Sequence, residues 1–181
     1  MRLEDILMSD DVCKSVNDNM EYLLELIPEI KPCIGFLHNH PHHHLDVWNH
    51  TLLALSMAPN DFEIRLTLLL HDLGKPFSYQ DGIDGVRHFK GHPLKSREIA
   101  GKILSRLNYP DDFSLEVLNL IEEHDTPMTE EDIKSNYSFA MKRFVVQECD
   151  CFAHKADKLE NRIKYLNETN KLLVKYKKIN L

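Results

Sequence analysis

The residues best suited to chemistry in this chain stand at the end of an apolar run. Leu66-Thr67-Leu68-Leu69-Leu70 delivers His71 and Asp72 side by side, and Gly74-Lys75-Pro76 follows. A buried charge is costly unless it is paired or bound to a cation, so the pair reads as a metal-binding element. His50, His92, His124 and Asp150 each stand beside apolar residues on or at the end of a predicted helix, and each can point at the same centre. Imidazole and carboxylate together suit borderline divalent transition metals such as Mn, Fe, Co, Ni or Zn. Such an ion lowers the pKa of a bound water and polarises a phosphoryl oxygen. Taken singly, any of these six residues fits an ordinary core or surface position. The adjacency of His71 and Asp72, with the apolar approach and the Gly-Lys exit, is the specific signal.

These residues need a rigid frame, and the composition allows one. The chain has 181 residues, 43% of them hydrophobic, which suits a single globular domain with a real core. A formal net charge of −7 argues against binding polyanions through overall charge. Eleven histidines exceed ordinary usage, although several must be surface residues. Four cysteines at 13, 33, 149 and 151 form no C-x-x-C pair and fit no zinc ribbon, so they read as reduced thiols in a cytoplasmic protein. Met1-Arg2-Leu3-Glu4-Asp5 does not begin a signal peptide. No run of roughly 18 apolar residues is present to span a membrane.

The periodicity predicts an all-α bundle. Val12, Val16, Met20, Leu23, Leu24 and Ile27 give one apolar face over about 11–30, which Pro28 and Pro32 break. Asp46 caps a helix carrying His50, and a second helix over about 61–73 is apolar nearly all round, the mark of a central buried helix. Gly74 stands where a C′ glycine belongs. Residues 77–89 read as a short hairpin or extended lip. Helices follow over about 92–107, 113–124, 129–136, 139–156 and 157–177, and the last is basic. A solvated charged face is the favoured reading of that helix, and a nucleic-acid contact is the alternative. The loop over 32–45 carries His38, His40, His42, His43 and His44. It reads as a solvated loop, a low-affinity metal tract, or a cover whose histidines touch substrate.

His50, His71-Asp72 with Gly74-Lys75, and Asp150 resemble the H…HD…D signature of the HD superfamily of metal-dependent phosphohydrolases. The similarity is wider than four residues. Pro41 to Leu52 resembles the stretch leading into the HD domain of bacterial tRNA nucleotidyltransferases, as does His88-Phe89-Lys90-Gly91-His92. Asp150-Cys151-Phe152-Ala153-His154 is similar to the family's closing Asp-x-x-Ala-His element. The resemblance covers roughly 28–160 and implies one HD helical bundle, with an N-terminal helix and a basic C-terminal helix packed on it. It implies a first metal site of His50, His71, Asp72 and Asp150. His92 and His124 would hold a second ion with Asp72 bridging, or act as general acid or substrate contacts around a single ion; capacity for two is favoured.

Lys75 lies one turn after His71. It can neutralise substrate phosphate, or be a C-terminal lysine favoured by the helix dipole. His42, His43, His44 and His88 are candidate substrate contacts. Asp125 is a rim residue or a partner orienting His124, and Glu122, Glu123 and Asp157 read as surface charges.

The expected activity is hydrolysis of a phosphate ester of a nucleotide or related small molecule by metal-activated water. A phosphodiesterase on RNA ends or 2′,3′-cyclic phosphates, and a non-catalytic nucleotide-sensing module, are the alternatives. No Gly-Ser followed by Asp-x-Asp occurs, so a free-standing domain that adds no nucleotides is expected. The Gly-Tyr-Pro motif of the cyclic-di-GMP phosphodiesterase branch is also missing, which disfavours that substrate.

Overall fold

A computed structural model describes residues 2–177. Within them the chain is all-α with one minute sheet. Its helices are α1 (Leu3–Leu7), α2 (Val12–Asp18), α3 (Met20–Leu26), α4 (Val47–Met57), α5 (Phe62–Leu70), α6 (Lys75–Ser78), α7 (His92–Arg106), α8 (Asp111–Glu123), α9 (Glu130–Ser135), α10 (Tyr137–Phe152) and α11 (Glu160–Lys177). Short polar side chains start several of them. Asp46 accepts from Asn49 N, Asp61 from Ile64 N, Thr129 from Asp132 N and Asn136 from Phe139 N, each satisfying an orphan donor of a first turn.

Helix α5 is the central rod. Every residue from Ile64 to Leu70 is buried, and α1, α4, α8 and α10 pack around it. The one charge in that run, Arg65, is spent on oxygens. Its Nη1 donates to Leu7 O, Ser9 O and Asn60 Oδ1, tying the N-terminal helices to the rod. Helix α10 lies between two apolar clusters. Val146, Cys149 and Ala153 join the main core, while Ala140, Phe144 and Cys151 join a smaller one with α9 and α11.

Several expectations need correction. The helix expected over 11–30 is two helices and a 3₁₀ turn (Pro28–Cys33). It breaks at Asn19, whose Nδ2 donates to Ser15 O and so competes with the helical ladder. A further helix, α1, precedes it. The helix expected to reach Leu73 ends at Leu70, and Lys75–Ser78 forms a helical turn that takes in the first two residues of the expected lip. The lip itself is real but small: β1 (Gln80–Asp81) pairs antiparallel with β2 (Arg87–His88), Gln80 opposite His88. Arg87 fastens it by donating to Asp81 Oδ1 at 2.8 Å and Leu37 O at 3.0 Å, and by lying over the Tyr79 ring. The last helix starts at Glu160, after a 3₁₀ turn over Ala156–Lys158. Leu115, Met141, Phe152 and Ile163, on the outer faces of α8, α10 and α11, are exposed. All four cysteines are free. No helix among the described residues is long and apolar enough to cross a membrane.

Gly74 has a different role from the expected C′ glycine. Its φ of −78° is ordinary. What requires glycine is proximity: a Cβ there would lie 2.5 Å from Ser96 N and 2.6 Å from His92 O. Gly74 N donates to the buried Ser96 Oγ at 2.9 Å. The turn carrying His71, Asp72 and Lys75 is thereby pressed against the first turns of α7, where His92 sits.

Candidate metal centre

The six candidate residues come together from five helices or helix ends. His50 is on α4, His71 and Asp72 follow α5, His92 opens α7, His124 follows α8, and Asp150 is near the end of α10. All six are buried, with His50 and His71 at 0% exposure and Asp72 at 1%.

Backbone carbonyls orient the imidazoles. His71 Nδ1 lies 2.7 Å from Leu68 O, His92 Nδ1 2.9 Å from Phe89 O, and His124 Nδ1 2.6 Å from Ile121 O; each partner is three residues back. His50 Nδ1 lies 3.2 Å from Ala153 O. A carbonyl only accepts, so each Nδ1 carries a hydrogen, which leaves Nε2 as the ligand nitrogen of the neutral ring. Two of these contacts also satisfy last-turn carbonyls that α5 and α8 leave orphaned. A histidine placed just after a helix thus caps it and acquires a fixed tautomer at once, an arrangement characteristic of metal-bound imidazoles.

The four Nε2 atoms surround Asp72. Its Oδ2 lies 3.2 Å from His71 Nε2 and 3.7 Å from His50 Nε2, whereas its Oδ1 lies 3.4 Å from His92 Nε2 and 3.9 Å from His124 Nε2. Asp150 Oδ1 closes the first group, 2.8 Å from His50 Nε2 and 3.6 Å from His71 Nε2. Donors bonded to one ion at about 2.0–2.2 Å lie roughly 3 Å apart, so the spacing suits an ion. Two sets of donor atoms gather tightly enough to hold one: His50, His71 and Asp150, and His71, Asp72 and His124.

The polar accounting demands positive charge. His71 Nε2 and both Asp72 oxygens are buried without a well-aligned hydrogen bond, and such groups are rare unless they serve a purpose. His92 Nε2 and His124 Nε2 lie 3.2 Å apart, close enough for one cation to be shared between them. Burial alone would lower the His71 pKa, but the Asp72 and Asp150 carboxylates outweigh it and hold it up to about 10. Burial and the neighbouring imidazoles instead push His124 down to about 4. Asp72 and Asp150 are held well below the usual carboxylate range; burial opposes this, and the cationic groups around them win. The donor set therefore fits a divalent transition metal.

Lys75 is buried, with Nζ 2.7 Å from Asp72 Oδ2 and 3.2 Å from His38 Nε2. It neutralises the aspartate and is largely spent within the centre. His38, one of the loop histidines expected to be solvated, to bind metal weakly or to touch substrate, has a role specific to itself. It is 1% exposed, donates from Nδ1 to Leu45 O at 2.8 Å, and so turns a lone pair toward Lys75. Only the tertiary closure of its loop, through the Leu37–Asp46 bridge, places it there.

An open cleft of about 480 Å³ lies over the centre, lined in part by His40, His43, Lys75, His88, His92 and His124. Of the loop histidines expected to meet substrate, His43 lines the cleft, stacked on His38 at 3.7 Å between ring centroids. His42 and His44 are exposed and outside the lining. His88 is on the rim. Asp125 is also there, and it faces Arg162 rather than orienting His124.

Arg143, Gln147 and Asp150 on α10, with His154 just past its end, form a stripe at spacings of four, three and four, of which Arg143 and Gln147 carried no expectation. Arg143 and Gln147 grip Glu123 O and Thr126 O, fixing the chain on both sides of His124. Glu123, expected as a surface charge, pairs with Arg143 at 2.6 Å.

Similarity to known proteins agrees with this geometry. The chain is 34% identical over 130 residues to the CC-adding tRNA nucleotidyltransferase of Thermus thermophilus, covering 68% of this chain and 28% of that protein. It is 33% identical over 120 residues to the A-adding tRNA nucleotidyltransferase of Deinococcus radiodurans, covering 62% and 27%. It is also 32% identical over 103 residues to the multifunctional CCA protein of Shewanella denitrificans, covering 55% and 24%. The match thus spans about a quarter of these relatives' length. A family model described as the HD domain matches residues 42–162, well over half of the chain. This chain belongs to the HD domain family.

Proposed function

We propose that the chain is a metal-dependent phosphohydrolase acting on a phosphate ester of a nucleotide or related small molecule. One observation carries this reading: the two oxygens of Asp72 are divided between two groups of carbonyl-anchored imidazoles. That division suits a bridging carboxylate between two divalent ions. His50, His71, Asp72 and Asp150 would hold the first ion, and His92 and His124, with Asp72, the second. Bound ions would supply Lewis acidity toward the phosphoryl group and a lowered pKa for an attacking water.

The protein's own residues supply the rest. Lys75 balances the second negative charge that Asp72 and Asp150 bring to the buried centre, and His38 keeps its ammonium on Asp72. His43 and His88 stand where a substrate in the cleft would pass. The test is turnover of p-nitrophenyl phosphate and bis-p-nitrophenyl phosphate with added Mn, Co or Ni. Metal-dependent turnover that Asp72→Ala abolishes is expected; full activity in Asp72→Ala would remove the metal assignment.

A second reading, a phosphodiesterase on RNA ends, draws on the names of the tRNA nucleotidyltransferase relatives. It requires RNA affinity that falls steeply with salt. Binding that is absent or indifferent to salt rejects it.

A further inference from the structure

The cleft over the metal centre does not end at Asp150. Past His124, Asp125 and Arg162 it continues into a side pocket of about 210 Å³. The far walls are largely apolar, with Pro127, Cys151, Tyr165 and Leu166 among them. Gln147 and Tyr165, two of its polar side chains, are already committed to one another and to the backbone. Gln147 Nε2 donates to Glu123 O and Thr126 O, Gln147 Oε1 accepts from Tyr165 OH, and Tyr165 OH accepts from Met128 N. Such a pocket rewards a flat group that brings apolar surface and asks for few hydrogen bonds.

Arg162 stands at the junction, in the first turn of α11, and lines both cavities. Its guanidinium lies 3.3 Å from Asp150 Oδ2 and 3.5 Å from Asp125 Oδ1. Both contacts are long beside the ~2.7–2.9 Å of strong charge-assisted bonds, and a guanidinium has further donors to offer. The other cations of the cleft are placed less well. Lys75 is buried against Asp72 and His38. Arg87 is engaged by Asp81, Leu37 O and the Tyr79 ring. Lys90 is exposed at the rim beyond the lip.

We infer that Arg162 clamps the substrate's phosphate between the two cavities, and that the side pocket seats the flat group esterified to it. This rests on the phosphohydrolase reading and narrows it. The favoured substrates are phosphate esters carrying an aryl ring or nucleobase close to the phosphate, and compact aliphatic phosphates are disfavoured.

The test is calorimetric titration of the Mn-loaded full chain with inorganic phosphate, methylphosphonate and phenylphosphonate. Phenylphosphonate should bind at least about tenfold tighter than methylphosphonate, as burial of a ring requires. Asn161→Trp, which fills the pocket from an exposed wall position, should bring that ratio toward one. Arg162→Gln, compared at saturating Mn because its side chain also touches Asp150, should weaken all three ligands by roughly tenfold or more. Arg162→Lys should recover only part of the loss, because the planar fork is gone. Equal affinity for the two phosphonates in the unaltered chain, or full phosphate affinity in Arg162→Gln, overturns the inference and leaves the phosphohydrolase reading standing. No binding of any of the three by the Mn-loaded chain overturns both.

Discussion

The histidines at the helix ends and those of the 38–44 loop are placed by different physics. His71, His92 and His124 are held locally: each ring is fixed by a carbonyl three residues back, and the helix frame aims the free nitrogen inward. The loop histidines are held by one another and by distant chain. His38 stacks on His43, His43 lies 4.3 Å from the His154 ring, and His42 O accepts from Lys155 N. A ligand that must stay within tenths of an ångström is best built the first way. A wall that shapes a cleft can be built the second way.

The largest effect expected is at the residue both helix-end groups share. Outer partners of metal ligands alone cost about 10–100-fold in affinity or activity. Asp72→Asn should therefore lower metal affinity and turnover by more than about a hundredfold, read by metal analysis after gel filtration and by the p-nitrophenyl assays. The loop should divide internally. His38→Ala removes the acceptor that holds Lys75 and should cost about tenfold in turnover, an outer-partner effect, whereas the exposed His44→Ala should change neither activity nor stability by more than about 0.5 kcal/mol. Equal effects at the two positions would erase the distinction drawn between them.

Gly74→Ala tests the suture between the two helix ends. The added methyl meets Ser96 N and His92 O, both backbone atoms, so it should cost about 1–3 kcal/mol as overpacking does. Urea unfolding reads the loss, and a weakened second metal equivalent should accompany it as His92 is displaced.

Acidity should separate His71 from the other buried rings in the metal-free protein, His124 among them. Burial pushes His38 down to about 3 and His154 to about 4, and lowers His43 further. In the unfolded chain all three take up protons near ~6.5. Their neutral burial is therefore harmless above that pH, and stability is lost as pH falls from there toward 4. The slope is at most about 1.4 kcal/mol per pH unit for each. His71 has the opposite sign. Its raised pKa contributes stability that is full below about 6.5 and lost as pH rises through about 10. Chelator-treated protein should unfold more easily at pH 5 and at pH 10 than near neutrality. A flat profile between pH 5 and 7 would show that the loop rings are not buried as described.

The same contrast explains what was legible in the sequence. The buried rod of α5 announced itself by Ile64 to Leu70, and its end located His71 and Asp72. Helix periodicity also located His92, His124 and Asp150, because a residue at a helix end inherits its position from the helix. His38 gave no such signal, since its role depends on loop closure and on a lysine 37 positions away. Gly74 was noticed for the wrong reason: a close approach leaves no local pattern, whereas a helix terminus does. Arg162 read as one more charge on a basic helix, and only the packing of α11 against α10 brings it to Asp150.

Counting ions tests the central claim most directly. Native mass spectrometry of the Mn- or Co-loaded chain, alongside His92→Ala, His124→Ala and Asp72→Ala, should show two equivalents in the unaltered protein. One equivalent is expected when either histidine is removed, and almost none without Asp72. An unaltered chain that binds no ion, or an Asp72→Ala chain that keeps its full complement, would contradict the assignment of Asp72 as the bridge.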